Sequence, residues 1–500
     1  MRKIPTNSAS VAKIGLPLDL AGPHVTATAS AQDRLYQALC HAIVGGLAKP
    51  GEPLPPSRVL ARQTGFRRNA VINAYERLIG DGFAVARVGS GTFVAPRIPA
   101  RIETKRTAKF TIEGPPFGPL ALGCTHFDGQ AQRRFRSFVG RRMRAFDTGH
   151  LRYGDPRGNL ELRTAIADHL LSARGLRCHP DQIMLVSGTQ HGLRLVLDCI
   201  LKAGDEVWCE DPGYPAARSA IEYCGGRLAP IPVDDFGIHV ATGRRVAPAA
   251  RAAYVTPSHQ FPLGVQMSMT RRLELIDWAK DADAFVFEDD YDSEFRYDGA
   301  PLLSLAGIDQ LRRVIYMGTF SKTLFPGLRI GYCALPEMLI GPVTKARAAL
   351  DRFPATLLEG AVADMLNSGA FAANLRKVRG LYREARDVLA QTLAAASDGR
   401  LSVPIPSQGL HLVARFQGKV DPAVAEQAKA AAAVDGWLLA DTCIRVPPVA
   451  GFVLGFAGHP RQQLVDSAER LAKASLRALD RQRKSGRSEI DRAPRKKARR

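Results

Sequence analysis

The chain has 500 residues, 46% of them hydrophobic and 23% charged, which is more than one ordinary core of ~250–300 residues can hold and excludes a mostly disordered polymer. No apolar run reaches the ~18–20 residues that cross a bilayer, and Pro5, Asn7, Lys13 and Asp19 interrupt any apolar stretch near the start, so neither a membrane span nor a signal peptide is expected. Lys plus Arg outnumber Asp plus Glu by 69 to 48, a net +21, which suits either a polyanionic partner such as nucleic acid or simple solubility.

Residues 1–29 are polar and aperiodic and read as an N-terminal arm. The block 30–95 carries dense helical signals. Leu35, Leu39, Ile43 and Leu47 recur at four-residue spacing and predict a helix that Pro50-Gly51 ends. Pro55-Pro56-Ser57 opens a short helix over Arg58 to Thr64, with Val59, Leu60 and Ala61 available for burial before Gly65 breaks it. Val71, Ile72, Tyr75, Leu78 and Ile79 line one side of a third helix, and Gly82 suits its left-handed cap. Strands over Phe83 to Val88 and Thr92 to Val94, joined by Gly89-Ser90-Gly91, complete a winged helix-turn-helix. This block has eight basic and four acidic residues. Arg67, Arg68 and Asn69 fall at the start of the third helix, where side chains reach base edges and phosphates. A helical bundle with a solvated basic face, built for protein contact, is the plainer alternative.

Pro96, Pro99, Arg101, Lys105, Arg106, Pro115, Pro116 and Pro119 mark residues 96–119 as a stiffened basic linker. From 120 to 480 apolar strands alternate with amphipathic helices, the pattern of a large α/β domain. Residues 481–500 read as a disordered basic tail; 484–500 alone hold eight basic and two acidic residues. The cysteines at 40, 124, 178, 199, 209, 224, 333 and 443 form no CxxC pair and read as reduced core residues, so no metal site is expected.

The strongest chemical signal lies at YMGTFSKTLFPGLRIGY, Tyr316 to Tyr332, where strands over Val314 to Met317 and Ile330 to Ala334 flank Ser321-Lys322 and Arg329. A lysine among small and apolar residues has a depressed pKa and condenses with aldehydes. An arginine close by pairs with a phosphate. Pyridoxal phosphate carries both groups. A lone lysine of this kind is also a common salt-bridge partner, so the neighbouring segments matter. The strand Ile183 to Val186 runs through Ser187-Gly188-Thr189-Gln190 into a helix over Leu193 to Leu201, a candidate anion site. Phe285 to Phe287 leads into Glu288-Asp289-Asp290-Tyr291, where a carboxylate could hold a pyridine nitrogen protonated; an exposed acidic turn is the bland reading. Asp211-Pro212-Gly213-Tyr214 places an aromatic ring after another strand, fit to stack on a flat ring or to form an ordinary turn.

The run from Leu54 to Val94, LPPSRVLARQTGFRRNAVINAYERLIGDGF…RVGSGTFV, resembles the GntR-type winged helix. That resemblance implies DNA contacts at Arg58 and Arg68 and in the wing near Gly89 and Gly91. Two positions depart from it: Arg67 stands where a small hydroxyl residue usually caps the helix, and Ala70 where a Thr is usual. Arginine cannot accept the orphan N–H bonds, so a weaker cap is expected. YGDPRGNLELR, SGTQ, EDPGY, TPSHQFPLG, EDDYDSEF and GTFSKTLFPGLRIGY, in that order over residues 153–332, resemble a fold type I, aspartate-aminotransferase-like domain. By that resemblance Lys322 is the Schiff-base lysine, Arg329 and Thr319 bind the phosphate, and Gly188, Thr189 and Gln190 form its cup. Asp289, with Asp290 one step away, pairs with the pyridine nitrogen, Tyr291 serves the ring hydroxyl and Tyr214 stacks on the ring.

The combination, with SHQFP where plain transaminases tend to read NPTG, is similar to MocR/GabR-type bacterial regulators. The likeness implies a cytoplasmic homodimer with exchanged head domains, bound to a double-stranded DNA operator on the nucleoid. Its control would lie in pyridoxal 5′-phosphate and an amine or amino-acid effector. Phe261 aligns where an asparagine would bind the ring oxygen. Val449 to Phe456 holds no arginine where transaminases anchor a carboxylate; Arg445 and Arg218 are the nearest candidates. An effector other than an α-amino acid, either an amine or the cofactor itself, follows. The alternative is a working aminotransferase that carries a DNA-binding appendage. The basic tail, in addition, would contribute sequence-independent DNA affinity.

Overall fold

Ser30 begins the first helix, its hydroxyl accepting the Asp33 amide at 3.3 Å, so one orphan N–H of the first turn is satisfied. The computed structural model describes residues 18, 30–98, 118–145, 152–300 and 302–492, without side chains for 484–492. The rest of the arm and most of the linker lie outside these. Two compact units divide the chain, residues 1–112 and 113–500.

In the first unit α1 (Ala31–Val44) buries Leu35, Leu39 and Ile43, but Gly45 caps it before Pro50-Gly51 is reached. Leu47, expected on its apolar face, lies past the end and is 56% exposed. α2 (Ser57–Thr64) stops at Gly65, whose φ of +72° is left-handed, and buries only Leu60 fully. α3 (Arg68–Gly80) buries Val71, Ala74, Tyr75 and Leu78, leaving Ile79 at the surface. β1 (Ala84–Arg87) and β2 (Gly91–Val94) pair antiparallel around the wing turn. Tyr75 donates to the Pro55 carbonyl at 2.6 Å, tying α3 to the segment before α2.

The second unit opens with α4 (Gly129–Arg144), α5 (Leu160–Arg174), β3 (Ile183–Val186), α6 (Thr189–Ile200), β4 (Glu206–Asp211) and α7 (Pro215–Tyr223). It continues through β5 (Arg227–Asp234), β6 (Gly237–Ile238), α8 (Val240–Val246), β7 (Ala252–Val255), α9 (Met269–Asp281) and β8 (Phe285–Asp289). Then come α10 (Leu305–Asp309), β9 (Val314–Thr319), β10 (Gly331–Ala334), α11 (Glu337–Leu350), α12 (Glu359–Asn367) and α13 (Ala370–Ala396). The last elements are β11 (Leu401–Ser402), β12 (His411–Phe416), α14 (Pro422–Ala432), β13 (Trp437–Leu438), β14 (Gly451–Gly455) and α15 (Arg461–Arg492).

Eight strands form one sheet in the order β3-β10-β9-β8-β7-β4-β5-β6. From β9 to β5 the strands are parallel, while β10 runs antiparallel between β3 and β9. The runs IMLV, AAYV and FVFED are buried at every residue, as strands covered on both faces must be. Four further strands make an antiparallel sheet, β11-β12-β14-β13. The carboxyl ends of β3, β4, β7, β8 and β9 point the same way, the edge at which open α/β sheets receive ligands.

α15 corrects one expectation. It runs to Arg492, so residues 481–492, read from sequence as the start of a disordered tail, continue the helix; residues 493–500 lie outside the described ones. Among the described residues no helix is long and apolar enough to cross a membrane, and the eight cysteines are free.

Candidate functional site

A cavity of 310 Å³ opens at the strand ends, and Gly188, Thr189, Gln190, Tyr214, Asp289, Tyr291, Thr319, Lys322 and Arg329 all line it. α6 begins here without any side-chain cap; Gly188 precedes it at φ +142°. Its first amides are therefore open to a ligand, and the helix dipole favours an anion. A Cβ on Gly188 would sit 3.3 Å from the Arg329 guanidinium, so the close approach of backbone and arginine depends on glycine. Thr319, at the end of β9, accepts the Ser321 amide on its hydroxyl at 3.0 Å.

Lys322 is half-buried, and desolvation pulls its ammonium below the ordinary lysine range, with Asp292 and Asp289 opposing that shift. A Cβ on Gly123 would come within 3.0 Å of its Nζ. β8 alternates its side chains between the faces of the sheet. Glu288 accepts the amides of Leu305 and Ala306, both at 2.8 Å. Asp290 pairs with Arg174 at 2.8 Å and takes the Tyr316 hydroxyl at 2.5 Å. Asp289 alone of the three carboxylates lines the cavity. Its Oδ2 accepts from Tyr254 at 2.5 Å, while Oδ1 is buried with no partner. Burial pushes the Asp289 carboxyl up to about 7.

Several lining residues carried no local signal. Tyr254 comes from β7, His411 from β12 and Trp437 from β13. The SHQFP segment does carry one, and four of its residues, His259 to Pro262, make contacts around the cavity. His259 Nδ1 lies 2.8 Å from Asp292 Oδ2, both buried, and Tyr291 donates to the His259 carbonyl at 3.1 Å. Gln260 donates to Glu210 Oε2 at 3.1 Å and to the Pro212 carbonyl at 2.9 Å. The Phe261 amide donates to Thr256 Oγ1 at 2.9 Å, and Thr256 donates to Glu210 at 2.7 Å. The Pro262 carbonyl lies 3.1 Å from His411 Nε2. His259, Asp292 and His411 are near enough to share a cation, but these bonds occupy Nδ1 of the first histidine and Nε2 of the second. Burial beside His259 pushes His411 down to about 4, so its ring is neutral.

Phe261 is the hub of an aromatic group. Its ring meets Tyr214 at 5.4 Å and 77°, and Trp437 at 5.6 Å and 80°. Tyr214 and Trp437 are parallel to within 5°, centroids 6.5 Å apart. Arg218 does not reach the cavity: its guanidinium donates to the carbonyls of Gly213 and Thr442. Arg445 is also absent from the lining; its amide and those of Ile444 and Val446 donate to the Asp211 carboxylate at 2.7, 2.7 and 3.0 Å. The Gly213 amide donates to the Thr442 carbonyl at 2.9 Å.

In the first unit Arg58, Arg67, Arg68 and Asn69 are exposed, and Gly89 and Gly91 shape the wing turn at φ +75° and +108°. Arg67 occupies the N-cap of α3 with no side-chain cap bond, the weakness its sequence implies.

The bacterial regulatory proteins, gntR family, match residues 31–94, and aminotransferase class I and II matches residues 129–471. The probable rhizopine catabolism regulatory protein MocR of Rhizobium meliloti is 34% identical over 92% of this chain and 96% of its own length. The pyridoxine biosynthesis transcriptional regulator PdxR of Corynebacterium glutamicum is 34% identical over 80% of this chain and 85% of its own. Among solved structures, a Pyrococcus horikoshii kynurenine aminotransferase superposes with a TM-score of 0.66 at 25% identity, over 72% of this chain and 91% of that one. The aminotransferase assignment implies pyridoxal 5′-phosphate. The cavity fits that molecule: uncapped amides and Arg329 suit a phosphate, the partnerless Asp289 oxygen suits a pyridine N–H, and Lys322 suits an aldehyde. With a winged helix joined to such a domain, the chain belongs to the MocR/GabR-type transcriptional regulators, helix-turn-helix proteins with an aminotransferase-like domain.

Proposed function

We propose that Lys322 takes pyridoxal 5′-phosphate covalently, and that this cofactor, with an amine or amino-acid effector, sets how the head domains of a homodimer engage a double-stranded operator. The convergence of Lys322, Asp289, Arg329 and the α6 start on one cavity carries this reading. When bound, the cofactor supplies an electrophilic carbon for amines and an electron-withdrawing ring. Burial favours the neutral, nucleophilic form of Lys322 Nζ. Arg329, Thr319 and the amides of Thr189 and Gln190 would hold the phosphate, and Gly188 would let the backbone approach it. Asp289 Oδ1 would accept the ring N–H, Tyr291 would give up its bond to the His259 carbonyl to serve the ring oxygen, and Tyr214 would cover the ring face. Phe261 has no polar atom for that oxygen, so the ring is held by one donor fewer.

In the first unit Arg67, Arg68 and Asn69 lead α3 toward a major groove, Arg58 meets a phosphate, and Gly89 and Gly91 bring the wing backbone to the duplex. Heads exchanged across a two-fold axis present two such surfaces, and a ligand with different affinity for two arrangements shifts their population. Reading DNA places the protein in the bacterial cytoplasm, on the nucleoid when bound.

The retained Lys322, Asp289 and Tyr291 also favour a second reading, a working aminotransferase with a DNA-binding appendage. One experiment separates the two. Affinity for DNA upstream of the protein's own coding region is measured with and without the cofactor and candidate amines, alongside incubation with amino donors and α-keto acids. We expect operator affinity to change on loading and no sustained keto-acid production. Continued turnover with ligand-independent DNA binding would overturn the regulator reading.

A further inference from the structure

Tyr214 and Trp437 stand parallel to within 5°, and Phe261 crosses both at 77° and 80°. Leu122 and Leu410 complete an apolar corner of the same cavity. Phe261 is anchored from behind through Thr256 and Gln260 on Glu210, and it packs with Val413, Leu439 and Val453. We propose that this corner is the effector subsite and that its ligand is a primary amine bearing an aryl or alkyl group and no carboxylate; this rests on Lys322 holding the cofactor as above.

The charges around the corner support that class. Lys322 and Arg329 are the only lysine or arginine among the described lining residues, and both are committed to the cofactor. Arg218 is bound to backbone carbonyls. Arg415, two residues past Val413 on β12, lies outside the lining. The amides of Ile444 to Val446, which could nest a carboxylate, already hold that of Asp211. His411 lies 5.3 Å from Phe261, its Nε2 within reach of the Pro262 carbonyl. A carboxylate entering this corner would exchange its water mainly for ring faces and meet no cation there, only neutral donors such as the Trp437 indole N–H. An aryl or alkyl group is what such a surface binds.

The chemical step needs no co-reactant. With the cofactor held on Lys322, it would supply an electrophilic carbon at which the ligand's amine replaces Nζ, and Nζ would take up as protons the two hydrogens that the ligand nitrogen gives up.

The test uses the full chain loaded with pyridoxal 5′-phosphate, with dissociation constants read from the visible absorbance for benzylamine, methylamine and phenylalanine. Benzylamine should bind about tenfold or more tighter than either of the others. Trp437→Ala should remove most of that preference and leave methylamine unchanged. Phenylalanine binding as tightly as benzylamine in the unmodified protein would overturn the subsite, and that ranking needs no variant to fold. A loaded protein with no visible band at all would instead overturn the assignment of Lys322.

Discussion

Lys322, Asp289 and Arg329 bring an amine, a carboxyl group and a guanidinium to the cavity lining, whereas Phe261, Trp437, Leu122 and Leu410 bring ring faces, methyl groups and a single indole N–H. The polar set keeps groups that water would solvate better, including an Asp289 oxygen without any partner. Those costs persist where a ligand of fixed shape and charge removes them. Phe261, Leu122 and Leu410 carry no side-chain polar atom that could be left unpaired. The difference teaches where each proposed ligand would act: the polar set would be completed by the cofactor, and the apolar set would select the effector.

The hardest way to break this comparison is Lys322→Ala. Borohydride trapping followed by peptide mass spectrometry should then find no cofactor on the chain, with operator binding still measurable. A label elsewhere in the protein would show that the polar set has been misassigned.

A second test addresses the support beneath Phe261. Glu210 is buried and its carboxyl is pushed from 4.5 up to about 7. Between those values the native state holds a proton that the unfolded state has lost. The stability this contributes is complete below about pH 4.5 and disappears as pH rises through about 7, about 3 kcal/mol in all. Glu210→Gln should therefore show a smaller loss of unfolding free energy between about pH 5 and about pH 8 than the parent, by up to that amount. Equal slopes in denaturant titrations would place the titration elsewhere.

Arg329→Ala should weaken cofactor binding about thirtyfold, roughly 2 kcal/mol for a charge-assisted phosphate contact, measured by equilibrium dialysis, without altering the ranking of amines. The smallest effect belongs to Phe261→Leu, which should cost about fivefold in benzylamine affinity while cofactor retention matches the parent. If that variant lost the cofactor instead, the two parts of the lining would not be separable.

How much of this was legible in sequence depends on whether a signal is local. Gly188 to Gln190, Asp289 with Tyr291, and Lys322 with Arg329 sit in short runs whose order and residue types announce their chemistry, and the fold delivers them to one cavity. Tyr254, His411 and Trp437 come from short apolar strands that look like any others, and only tertiary pairing brings them to the same place. The ambiguity between Asp289 and Asp290 dissolves once strand pleating assigns them to opposite faces, with Arg174 and Tyr316 waiting for the second. In the head, periodicity carried the helix face but overshot its end at Leu47, because Gly45-Gly46 releases the backbone before the more conspicuous Pro50-Gly51 does. At the other extreme, a charge-rich composition hid the helical continuation of α15.

Asp211, Gly213 and Arg218 are stitched to Thr442 and to the three amides that follow Cys443. The segment bearing Tyr214 is thus sewn to the one that follows Trp437, although more than 200 residues separate them in the chain. The two segments are thereby pinned to each other beside the cavity, so displacing either one would strain its bonds to the other.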